Sequence, residues 1–347
     1  MRKIKRVGWI DSCRFFAIFV IMFTHFLSSL RPDALLLWEL PPGRYVLGGL
    51  TGKLSVAFFF VLLGYFASAP RRFTARDFGR YCLHRYTQFS FFVFVTTLLY
   101  IAGSYGTTWV FHTPDEAAFR VISDGFHDNL VYLLRDSFLY EDSYNATLWC
   151  MQQLFLASVL CRLLAYLPER LSAALRFGVA GLLILLLMLL DSAYCVWIAV
   201  AVLGYLLRLT LPLFDHRPAL KRPLPLTLLF LLAVACIKAP LPESPVLYSL
   251  QGVGSFLLLL VLFHTPFAQH LLSASPFPWL GGVSMGLFVV HTPLNSLLFS
   301  VLGRLLPMDG RAPLLLVFLL FFVSFFLCVL CAWLLHRLYA VLIQKNA

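Results

Sequence analysis

The sequence predicts an all-α integral membrane protein with about ten transmembrane helices and both termini in the cytoplasm. Three observations carry that prediction. Of 347 residues, 61% are hydrophobic and only 12% are charged, against about 45–50% and about 25% in an ordinary soluble domain. The apolar residues gather in runs, many approaching the roughly 20 residues that a bilayer-spanning helix needs. The 27 lysines and arginines change side as those runs are counted off. A soluble α/β enzyme would lack polar cover on such a surface. A disordered chain could not carry 34 phenylalanines with so little charge.

Read between breakers, the runs predict helices near 9–30, 46–69, 86–104, 147–166, 173–190, 193–210, 224–238, 246–264, 280–302 and 313–339. The seventh is short and bounded by Pro223/Pro225 and Pro240/Pro242, as a tilted or partly re-entrant segment would be. With the amino terminus inside, 18 of the 27 basic residues fall on inner segments and 8 on outer ones, while Arg14 lies within the first helix. Of the 16 acidic residues, 12 lie outside. The basic excess predicts that both termini face the cytoplasm. The net charge of +11 therefore tracks the membrane sides rather than one soluble face, and nucleic acid is not expected as a partner.

Residues 1–347 read as a single transmembrane domain, with no low-complexity tract or long linker. The first run is too long for a removable signal peptide and holds Arg14 and His25. The 8 cysteines lie in or beside apolar runs, apart from Cys82 in a basic segment. Cys328 and Cys331 have redox-motif spacing, yet they sit inside an apolar helix. Small buried apolar side chains are the expectation, not disulfides.

One outer connection is long, about residues 105–146. Thr113-Pro114-Asp115-Glu116 has the form of a capped helix start. Phe119, Ile122, Phe126, Leu130, Leu133, Leu134 and Phe138 follow at near-helical spacing. They predict one or two short helices lying on the outer interface.

The ionisable residues of the first helix are Asp11, Arg14 and His25. At 100° per residue, Arg14 and His25 return to within about 20° of one face, with Asp11 about 40° from His25. Arg14 sits near the cytoplasmic edge and His25 roughly 16 Å farther out. An ionisable side chain within a bilayer is a candidate functional group, because insertion at mid-depth costs about 2.5–3.5 kcal/mol. Arg14 can alternatively snorkel to the inner headgroups, paired with Asp11 at three residues' distance. His25 is too deep for that, which leaves a functional or a hydrogen-bonded structural role.

In GKLSVAFFFVLLGYF, residues 52–66, Gly52, Ser55 and Gly64 suit close helix contact. RRFTARDFGRYCLHRY puts five arginines at the cytoplasmic surface, including Arg80 and Arg85. They serve either as positive-inside anchors or as a phosphate-binding patch, since guanidinium forks match phosphate oxygens. Two further runs complete the set, TLWCMQQLF at 147–155 and GGVSMGLFVVHTPLN at 281–295. The second carries His291, Pro293 and, one turn beyond the histidine, Asn295.

Together these runs resemble the acyltransferase family 3 of integral membrane proteins. The resemblance rests on Asp11, Arg14 and His25, on Gly52, Val56, Phe58, Phe59, Gly64 and Tyr65, on the basic stretch around Arg80 and Arg85, on Leu148-Trp149, and on Ser284, Phe288, His291 and Pro293. It spans nearly the whole chain. The sequence departs at Cys150-Met151, where an aromatic and Leu are more usual, and at Leu63 in place of Ser. No appended esterase-like domain is expected.

The resemblance implies transfer of an acyl group, usually acetyl, from cytoplasmic acyl-CoA to a hydroxyl of a cell-surface or lipid-linked glycan on the outer side. Acceptors in the family include O-antigen and exopolysaccharide sugars, enterobacterial common antigen and peptidoglycan. No metal is implied. His25 would act as general base, a role worth about 10²–10⁴-fold. Arg14 would neutralise phosphate or polarise carbonyls of the donor. His291 would orient His25, stabilise the oxyanion or bind the sugar. Donor binding falls to Arg14, Lys53, Arg80 and Arg85. Acceptor binding falls to Trp149, Asn295 and the outer-loop Trp109, whose ring suits sugar faces or the membrane interface alike. The rival reading is a transporter with Arg14 and His25 on its substrate or proton path. Against it stands the lack of any internal repeat in the hydropathy pattern.

Overall fold

The computed structural model of the chain describes residues 7–29, 52–67, 73–112, 114, 116–167, 171–190, 192–305 and 314–344, and it is helical with no strand among them. In chain order the helices are α1 (Gly8–Ser29), α2 (Gly52–Tyr65), α3 (Ala75–Phe111), α4 (Glu116–Leu139), α5 (Met151–Ala165), α6 (Ala173–Leu189), α7 (Ala193–Asp215), α8 (Pro223–Ile237), α9 (Pro245–Phe263), α10 (Pro266–Leu272), α11 (Phe277–Gly282), α12 (Ser284–Leu305) and α13 (Leu314–Tyr339). A 3-10 turn, Ala146–Cys150, leads into α5.

Seven helical segments are long and apolar enough to cross a membrane: Gly8–Leu27, Ala75–Phe111, Thr147–Ala165, Ala193–Asp215, Pro245–Phe263, Ser284–Leu302 and Leu316–Ile343. Three shorter apolar helices, α2, α6 and α8, fall on the remaining expected segments with 14, 17 and 15 residues. They are below the roughly 20 residues of a perpendicular span. The third segment differs most from its expected bounds of 86–104. Helix α3 runs 37 residues, about 55 Å at 1.5 Å per residue, well beyond a hydrocarbon core of about 30 Å. The basic stretch with Arg76, Arg80 and Arg85 is its first turns, and the start of the expected outer connection is its last turns. Thr74 caps it, accepting from the Asp77 N–H at 3.1 Å.

The chain divides into two compact units. The first takes Met1–Ala17, Gly49–Leu83 and Gln153–Pro278. Within it α2 packs on α7 and α9, α6 on α7, and α8 on α9. Helices α2 and α7 cross at reciprocal small residues: a methyl on Gly64 would overlap the Ala201 carbonyl, and one on Gly204 would overlap the Val61 carbonyl. Close backbone approach of this kind replaces the hydrophobic driving force that lipid does not supply. Trp197 fills the same layer, stacked 5.6 Å from Phe60 and 5.1 Å from Tyr248.

The second unit takes Ile18–Gly48, His84–Gln152 and Trp279–Ala347. Here α12 packs against α13, α4 and the 3-10 turn. Phe321 of α13 meets Phe19, Phe23 and Phe26 of α1 edge-on at 5.4, 5.0 and 5.4 Å. Such aromatic pairs are worth about 0.5–1.5 kcal/mol each beyond area burial.

Helix α4 matches the expected outer helices in part. It is two helical pieces joined at Gly125, whose φ of 72° only glycine adopts cheaply. Phe119, Phe126, Leu130, Leu134 and Phe138 are exposed, while Ala118, Val121 and Leu133 are buried. An apolar outward face on a helix outside the candidate spans fits an interfacial helix. The expected cap at Thr113 and Asp115 lies outside the described residues. All eight cysteines are unbridged.

Candidate functional site

In the first unit, Asp11 is buried and its carboxylate holds the Arg14 guanidinium one turn on, Oδ1 to Nη1 at 3.4 Å. The same guanidinium lies 5.3 Å from the centre of the Phe66 ring. A half-exposed cation with one buried carboxylate and one aromatic face keeps its charge near an apolar layer.

In the second unit, the His25 and His291 rings lie 5.3 Å apart between centroids. His291 is fully buried. Its Nδ1 is 2.8 Å from the Phe288 carbonyl and 3.1 Å from that of Leu287. Carbonyl oxygens only accept, so Nδ1 carries the proton and Nε2 keeps its lone pair. That Nε2 is buried and has no hydrogen-bond partner among the described residues. The backbone of α12 thus fixes His291 as an acceptor.

Pro293 explains the next contact. Lacking an N–H, it cannot bond the carbonyl four residues back, that of Val289. The Asn145 side chain donates to that carbonyl instead, at 2.9 Å. Asn145 is also buried, and its Oδ1 accepts from the Thr147 N–H at 3.1 Å, capping the 3-10 turn that carries Trp149. One asparagine therefore ties the start of that turn to the helix segment bearing His291. Sequence reasoning noted Pro293 but not Asn145. The available signal was the bond that Pro293 removes, and only the fold names the donor that replaces it.

Near the same turn, outside the candidate spans, Asp136 accepts from the Ser143 and Tyr144 N–H groups at 3.1 and 3.4 Å. Burial pushes its carboxyl above the usual carboxylate range, against the opposing pull of those bonds. The Tyr144 hydroxyl bonds Asp124 at 2.9 Å and also meets the Asn129 side chain. Arg120 lies 3.9 Å from Asp124 and 5.6 Å from the Tyr144 ring centre. Burial, then the Asp124 carboxylate, pushes the Tyr144 phenol up.

The other expected residues are placed as follows. Asn295 is buried one turn after His291, and its carbonyl accepts from Ser324 of α13. Trp149 is half-buried in the 3-10 turn. Trp109 is 79% exposed near the end of α3. Arg80 is exposed, and Arg85 bonds Gln88 at 3.2 Å and lies 5.6 Å from the centre of the Phe89 ring. Lys53 is paired with Glu243 and donates to Tyr248 at 2.8 Å. Its ammonium therefore sits beside the start of α9.

A family model described as an acyltransferase domain matches residues 7–336 of the chain. Among curated proteins and solved structures, none matches it. The family match runs through α1 and α12, the helices that carry His25 and His291.

Proposed function

Since the chain belongs to the acyltransferase 3 family, we propose that it transfers an acyl group, in the first instance acetyl, from cytoplasmic acyl-CoA to a hydroxyl of a cell-surface or lipid-linked glycan. The reading rests on one observation above the rest, the apposed histidines His25 and His291 with the tautomer of the second fixed by its helix. His25 is the general base. It takes the proton of the acceptor hydroxyl as that oxygen attacks the thioester carbonyl. The C–S bond then breaks, and the departing thiolate takes the proton back from His25. General-base catalysis of this kind is worth about 10²–10⁴-fold.

The neutral His291 presents a lone pair at Nε2, so it cannot donate to an oxyanion in that state. Once the acceptor is bound, its lone pair can take a hydrogen bond from the His25 N–H or from a neighbouring sugar hydroxyl, leaving the other His25 nitrogen to receive the proton of the attacking hydroxyl. Of the three roles the sequence left open for it, oxyanion stabilisation is the one this tautomer disfavours. Arg14, Arg80 and Arg85 bind the donor's phosphates. Trp109, Trp149 and Asn295 are the acceptor-binding candidates. The protein sits in the inner membrane with both termini cytoplasmic and ten crossings, three of them by the shorter helices α2, α6 and α8.

The test is incubation of the purified protein in nanodiscs with labelled acetyl-CoA and a panel of lipid-linked glycans, read by mass spectrometry of glycan and protein. A labelled glycan is the expected product. Label on no glycan, together with no binding of coenzyme A, would remove the reading.

A further inference from the structure

An arginine at the end of a membrane helix ordinarily keeps its guanidinium in water, as the exposed Arg80 does. Arg162, at the end of α5 in the first unit, does not. It is 8% exposed, and a guanidinium keeps its charge in any protein environment. Its neighbours are aromatic: the Tyr81 ring centre lies 4.7 Å away and that of Tyr166 lies 5.3 Å away. Tyr81 is itself positioned by a bond to the Ser158 carbonyl at 3.3 Å. No carboxylate pairs with Arg162 among the described residues. Cation–π contact repays only part of the cost of desolvating such a group, and a counter-charge supplies the rest.

The polar atoms around it are donors in want of an acceptor. Arg162 Nε and the Tyr166 hydroxyl are both buried and bond nothing among the described residues, and Arg176 Nε at the start of α6 is in the same condition. Arg176 and Arg208 both lie within electrostatic reach of Tyr205, as does Cys161, the residue preceding Arg162. Arg208 donates to the Ala67 carbonyl at the end of α2. Carboxyl-terminal ends of α2, α5 and α7 and amino-terminal ends of α3 and α6 thus bring arginine and tyrosine together within one unit, and the acidic side chains at those ends, Asp77 and Asp215, are engaged by Thr74 and by Lys221. Alternate crossings would put all five ends on the cytoplasmic face.

We propose that Arg162, flanked by Tyr81 and Tyr166 and rimmed by Arg176 and Arg208, is a buried anion seat that takes a phosphate group of the acyl donor. This deepens the acyl-CoA reading above and rests on it. A phosphate supplies the acceptor oxygens and the negative charge that the Arg162 and Tyr166 donors call for, and an arginine fork matches its geometry. Inner-leaflet lipid headgroups carry the same chemistry. Burial of Arg162 against two tyrosine rings favours a soluble phosphate at the end of a flexible arm over a lipid held in the bilayer plane.

The test uses full-length protein in nanodiscs, made either of phosphatidylcholine alone or with phosphatidylglycerol, and titrates coenzyme A and 3′-dephospho-coenzyme A. Wild type should bind coenzyme A in both bilayers. Arg162→Gln should weaken that binding about tenfold or more, and Arg162→Lys should restore part of it. If Arg162→Gln is not recovered as a monodisperse protein, Tyr166→Phe decides, because it keeps the ring stack and removes only the hydroxyl. A loss of about threefold is then expected. Wild-type affinity in the deciding variant, with wild type itself binding, overturns the anion seat and leaves the acyl-CoA reading standing. An effect confined to retention of phosphatidylglycerol overturns it in favour of lipid. Failure of wild type to bind coenzyme A in either bilayer overturns the reading and the seat together.

Discussion

Pro293 leaves the Val289 carbonyl without its helical partner, and Asn145 supplies the replacement at 2.9 Å. Removing that donor orphans a buried acceptor, at a cost of about 1–3 kcal/mol. Asn145→Ala should therefore lower thermal stability and reduce acyl transfer about tenfold by loosening the segment that holds His291. The compensating change is specific: Pro293→Ala restores the backbone N–H and should recover most of the lost stability in the Asn145→Ala background. A double-mutant cycle measures this, and simple additivity of the two changes would count against the pairing. Asp136 gives the matching pH prediction. Its folded value is raised by burial, so the native state binds more protons than the unfolded one between about pH 4 and the folded value. Stability there should fall as pH rises through that window, and Asp136→Asn should flatten this component in melts across pH. An unchanged slope in the variant would show that the carboxyl is not held protonated by its burial.

Helix α2 meets α7 where Gly64 faces the Ala201 carbonyl and Gly204 faces that of Val61. A methyl at either glycine must push two backbones apart, and overpacking of this kind costs about 1–3 kcal/mol. Gly64→Ala and Gly204→Ala should each lower the melting temperature in detergent. Gly178 and Gly181 on α6 have open space where a methyl would go, so Gly178→Ala and Gly181→Ala should leave it level or raise it slightly. Equal losses at all four would mean that the crossing is not close. The sequence marked Gly64 as a contact residue but gave no reason to pair it with Gly204, because the partner of a small residue is set by packing between distant segments. The length of α3 was hidden for another reason. Hydropathy reports where a helix enters lipid and not where it stops, and Arg76, Arg80 and Arg85 are good helix formers that extend it outside the apolar window.

For the whole molecule, the apolar runs located most of the helices: α1, α9 and α13 begin and end within a residue or so of their expected bounds. The candidate site was legible where chemistry left an unusual residue in an apolar setting, as with His25 and His291, and illegible where an ordinary polar residue acts through the fold, as with Asn145. The proposed cytoplasmic termini and ten crossings predict that a fluorescent-protein fusion after Ala347 matures in the cytoplasm, whereas an exported reporter active at that position would invert the topology. At this scale everything turns on acyl transfer depending on one imidazole of α1. The direct measurement is label transfer from acetyl-CoA to glycan by His25→Ala in nanodiscs, beside coenzyme A binding by the same preparation. Loss of transfer by at least about 10²-fold with donor binding retained is the predicted result. Transfer at the wild-type rate would contradict the assignment of His25 as the base.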